Sequence, residues 1–178
     1  MRTKKLVFMA LLTAISLVIW VIEAQIPAPV PIPGVKLGLA SAVTLSAMLL
    51  MGRKEALAVL LARVFLASLF AGSFSAILFS LTGGVLSWLV MALTVRLFSE
   101  KLLWVVSVFG ALAHNAGQLL AAMLITKTAS LLTYAPALVV SAIITGAFTG
   151  LVAMYLHRAL RGHIRFGTGK EESDNDRS

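Results

Sequence analysis

The sequence predicts an all-α integral membrane protein, one bundle of six transmembrane helices with both termini in the cytoplasm. Three observations point there. Apolar residues make up 60% of the chain, and its mean hydropathy is +0.98. Those residues fall into runs close to the roughly 17 to 25 residues that cross a hydrocarbon core. Basic residues gather at every second junction between runs, as the positive-inside rule requires.

The first run, 6–22, follows Met1-Arg2-Thr3-Lys4-Lys5 and has the outline of a signal peptide. It ends in Ile22-Glu23-Ala24, which puts a bulky residue where a cleavage site needs a small one. It is therefore read as a retained helix. The further runs are 37–52, 55–71, 75–98, 102–126 and 135–157. With the amino terminus inside, Arg2, Lys4, Lys5, Arg53, Lys54, Arg96, Lys101, Arg158, Arg161 and Arg165 all fall on the cytoplasmic side. Lys36 and Lys127 fall outside, and Arg63 lies within the third run. Residues 1–160 form the membrane domain, and 161–178 a polar cytoplasmic tail too poor in apolar side chains to order itself.

Composition narrows the chemistry. The chain has no Cys, which excludes disulfides and thiol catalysis. Its net charge of +8 sits mostly at the ends of apolar runs, where it suits membrane lipid headgroups rather than nucleic acid. No P-loop, zincin motif or aspartate-rich diphosphate motif is present. The acids before the tail are Glu23, Glu55 and Glu100, all at run ends. No catalytic residue, metal site or cofactor is assigned, and the chain is not expected to be an enzyme.

Function must then reside in polar interruptions. Arg63 stands mid-run, where a charge is costly and turns to the bundle interior, a partner or a watery cavity. It is read as structural or coupling. His114, Asn115 and Gln118 form the densest polar cluster, spaced to share a helix face. They serve either as interhelical glue or as substrate contacts. Four of the five prolines lie in 26–34, a stiff outer segment that is either a connector or a cap over a pocket. Glu23 and Lys36 flank it, and with Lys127 they complete the candidate substrate-binding set. Thr82-Gly83-Gly84 and the GxxxG of 146–150, with Ser141, Thr145 and Thr149, read as close helix packing. Tyr134 suits a headgroup-level anchor. Ala10 and Ala14 form a small-residue patch on the first run.

Six spans, the Ala10/Ala14 patch and the proline-rich Ile26-Pro27-Ala28-Pro29-Val30-Pro31-Ile32-Pro33-Gly34-Val35-Lys36-Leu37-Gly38-Leu39-Ala40 resemble the Gx transporter family, also labelled heptaprenyl diphosphate synthase component I. More broadly they resemble the S components of energy-coupling factor transporters. Ser41 stands where that family is expected to carry Asn. The resemblance implies a substrate-binding subunit for micronutrient or vitamin uptake in the bacterial cytoplasmic membrane. It implies a transmembrane scaffold and two ATPase subunits as partners, with Ala10 and Ala14 docking on the scaffold. The family label keeps an alternative open: a membrane accessory of isoprenoid or quinone synthesis, or of quinone-linked electron transfer.

Overall fold

The computed structural model describes residues 2–25, 38–71 and 74–161. Six α-helices follow one another: α1 (Arg2–Gln25), α2 (Ser41–Leu50), α3 (Arg53–Ala71), α4 (Phe74–Thr94), α5 (Leu103–Thr126) and α6 (Ala135–Arg161). Short 3₁₀ turns, Glu100–Leu102 and Ala129–Tyr134, precede α5 and α6. No strand occurs among the described residues. The proline-rich segment, Lys36 and the tail from 162 onward lie outside them.

Among the described residues, four helices, α1, α4, α5 and α6, are long and apolar enough to cross a membrane. The expectation of six spans is met in part, since α2 and α3 are not among these four. α2 has 10 residues and is about 15 Å long at 1.5 Å per residue, half a hydrocarbon core. Gly38 precedes it with φ +80° and Gly52 follows it with φ +114°, so left-handed backbone bounds it on both sides. It is buried on nearly every side, which allows an apolar helix to be short. α3 has 19 residues, enough to cross, but it opens on Arg53, Lys54 and Glu55 and carries Arg63 at its centre.

Glycines set the spacing around α5. A Cβ on Gly117 would lie 2.7 Å from the Thr82 carbonyl oxygen of α4. One on Gly150 of α6 would lie 2.5 Å from the Trp104 Cα. Both pairs of backbones touch where any larger residue would part them. The small-residue motifs of α4 and α6 are thus packing devices.

Two apolar clusters close the bundle. Leu12, Leu45, Val59, Met91, Val106 and Ala153 form one, near the helix ends that carry most of the basic residues. At that end the Lys5 Nζ donates to Glu55 Oε1 at 2.5 Å, and the Trp88 Nε1 donates to the Arg53 carbonyl at 3.0 Å. Phe79, Leu119, Ala122 and Leu138 form the second cluster, toward the opposite end. Along α4 and α5 the residues between these clusters include Ser80, Ser87, His114 and Gln118. That intervening layer holds the site.

Candidate functional site: a polar pocket inside the bundle

Five helices contribute to one pocket, while α6 stays behind α5. α1 supplies Trp20 and Glu23 from its last turns, and α2 supplies Ser41 and Thr44 from its first. α3 adds Arg63, α4 adds Ser80 and Ser87, and α5 adds His114 and Gln118. The shortness of α2 is what makes this possible. Because it begins halfway through the bundle, its first-turn hydroxyls meet side chains that a full span would bury behind apolar residues.

Glycine fits the entry to α2 for two reasons. Gly38 takes a left-handed φ, and a Cβ there would lie 3.0 Å from the His114 Cδ2. Its amide donates to Glu23 Oε1, tying the start of α2 to the end of α1. Across the pocket, the imidazole of His114 and the side chain of Gln118 press on Gly83, where a Cβ would lie 3.1 Å and 2.9 Å from them respectively.

Three polar residues of the pocket lining are nearly inaccessible to solvent. Arg63 is 5% exposed, Ser41 8% and Ser87 1%. The Arg63 Nε and the hydroxyls of Ser41 and Ser87 are buried and have no protein partner. Buried polar groups are nearly always satisfied, by protein, water or a ligand. Three unsatisfied groups lining one cavity are therefore a pattern, not noise. In this conformation the free volume is about 20 Å³, room for about one water. Anything larger requires the lining side chains to move.

Of the residues singled out from sequence, the structure brings Glu23, Arg63, His114 and Gln118 together. It separates Asn115 from them: the Asn115 Nδ2 donates to the Leu138 carbonyl of α6 at 2.9 Å, the interhelical role. Its Oδ1 is buried without a partner, on that same seam. Lys127 caps α5 in a left-handed conformation, exposed and away from the pocket lining. Lys36 lies outside the described residues. Sequence reasoning missed Ser80, Ser87 and Thr44, and treated Ser41 only as a departure from family pattern. Isolated serines in apolar helices carry no signal by themselves. Only the fold gathers them.

A protein-family model described as heptaprenyl diphosphate synthase component I matches residues 12–156. The chain belongs to that family. No curated protein and no solved structure matches it. The matched region runs from α1 almost to the end of α6 and includes every residue that lines the pocket. The family's name associates its members with a prenyl diphosphate synthase. Among the described residues, no three His, Asp or Glu side chains gather to hold a metal ion.

Proposed function

We propose that the protein is a substrate-binding membrane subunit, an S component of an energy-coupling factor type transporter. It captures a small molecule in the bundle pocket and performs no chemistry on it. The observation that carries this reading is the trio of unpartnered groups, Ser41 Oγ, Arg63 Nε and Ser87 Oγ, in one cavity wall. A purely structural polar layer would pair them with one another or with backbone, because an unmade bond costs about 1–3 kcal/mol.

Under this reading the basic end of the bundle is cytoplasmic, the membrane is the bacterial inner membrane, and α3 crosses with Arg63 shielded inside. Separate scaffold and ATPase subunits supply movement. Ala10 and Ala14 are exposed on α1 beside Val7, Leu11 and Val18, a face suited to close helix contact. An accessory role in prenyl diphosphate synthesis has the family name in its favour. Against it, a Mg²⁺-diphosphate is held through carboxylates, and the described pocket offers Glu23 alone.

Mass spectrometry of small molecules released from the purified protein tests the binding role. A retained small molecule at near-stoichiometric amount is expected. In a reconstituted transporter, Ala10→Trp and Ala14→Trp are expected to abolish uptake while the ligand stays bound. Loss of the ligand in those two variants would count against α1 as the docking face.

A further inference from the structure

The charge balance of the pocket narrows the ligand class, on the assumption that the pocket binds a ligand at all. Arg63 is the single Arg or Lys among the described lining residues, and Glu23 the single Asp or Glu. The Glu23 carboxylate acts on the Arg63 guanidinium through space. The two charges thus offset one another inside a low-dielectric bundle. An incoming anion would leave an excess negative charge buried, which is strongly unfavourable unless further cations accompany it. A diphosphate, with two or more charges, would be worse.

The unpartnered groups set the other half of the specificity. An arginine Nε only donates, and serine hydroxyls donate or accept. All three are therefore answered by oxygen acceptors on the ligand. Trp20 also lines the pocket and adds an aromatic surface to it. We infer that the pocket selects a neutral small molecule bearing one or more carbonyl groups, whose oxygens accept from Arg63 and from the Ser41 and Ser87 hydroxyls, and that it rejects diphosphates and other anions. This goes beyond the transporter reading, which leaves the ligand's chemistry open, and it separates this pocket from the prenyl diphosphate in the family's name.

Equilibrium dialysis against yeast extract, with the full chain in lipid nanodiscs and mass spectrometry of both compartments, tests it. Wild-type protein should enrich a neutral carbonyl compound. Arg63→Gln and, independently, Ser41→Ala should each reduce that enrichment about tenfold or to background, a change of about 1.4 kcal/mol or more. If Arg63→Gln fails to fold, Ser41→Ala still decides the point. Glu23→Gln leaves the guanidinium uncompensated and should move selectivity about tenfold toward monoanions. Enrichment of a carboxylate or a diphosphate by the wild type would overturn the inference while leaving a binding subunit intact. Enrichment of nothing would remove the binding reading too, leaving a bridging water as the occupant.

Discussion

The two faces of α5 treat buried polar groups in opposite ways. Toward α6, Ser107 and Thr149 share a hydrogen bond at 2.9 Å, Thr149 Oγ1 also reaches the Thr145 carbonyl at 2.8 Å, and Asn115 bonds the Leu138 carbonyl. Gly146 and Gly150 let the backbones meet there. One acceptor, the Asn115 Oδ1, is left over. Toward the pocket, three buried polar groups of lining residues from three other helices find no protein partner. The first face is an adhesive seam, made of groups that satisfy each other. The second is an arrangement that something else completes. Similar residue types serve cohesion on one side and recognition on the other, and the difference lies in who satisfies them.

Variants on the two faces should therefore separate stability from binding. The largest effect is expected for Gly150→Leu, which forces a side chain into the Trp104 backbone. Overpacking costs about 1–3 kcal/mol where neighbours can yield, and a backbone cannot, so thermal unfolding should reveal a collapsed melting temperature or no folded protein. Next, the double variant Arg63→Met/Glu23→Gln, which removes both buried charges together, should cut the retained ligand at least tenfold while leaving the melting temperature of the empty protein unchanged or higher. Replacing both members of a buried ion pair by neutral side chains is often neutral or stabilising, whereas removing one alone leaves the other charge uncompensated. A seam-like fall in stability would place Arg63 among the adhesive groups instead.

Smaller effects sharpen the contrast. Ser107→Ala breaks one seam hydrogen bond and should cost about 0.6 kcal/mol, the average for such bonds in membranes, with no change in retained ligand. Lys127→Gly relieves a left-handed backbone at φ 53°. It should stabilise α5 by about 1 kcal/mol or less and leave binding untouched, since Lys127 is outside the pocket.

Much of this fold was legible in the sequence. The apolar runs that became α1, α4, α5 and α6 announce themselves by length, and the close-packing motifs of α4 and α6 by their small residues. α2 was not legible, because composition cannot tell a helix wrapped in protein from one wrapped in lipid: the run 37–52 looks like a span in either case. Of the site, His114, Gln118 and Arg63 stood out as polar groups in apolar surroundings. Asn115 stood out equally and belongs to the seam, since one residue's step along a helix is a turn of about 100°. Ser87 could not be found in advance, and Ser41 stood out only against the family pattern. Their meaning comes from lacking partners, and that is a property of the folded bundle.

The central claim is that the layer between the two apolar clusters is completed by a ligand. The double variant Ser41→Ala/Ser87→Ala tests it most directly, by comparing its ligand content on release with its melting temperature after emptying. The account predicts that wild-type protein carries a bound small molecule, that the double variant loses most of it, and that the two emptied proteins melt together. A wild-type protein that carries nothing, or a double variant that melts well below it when both are empty, would contradict the account.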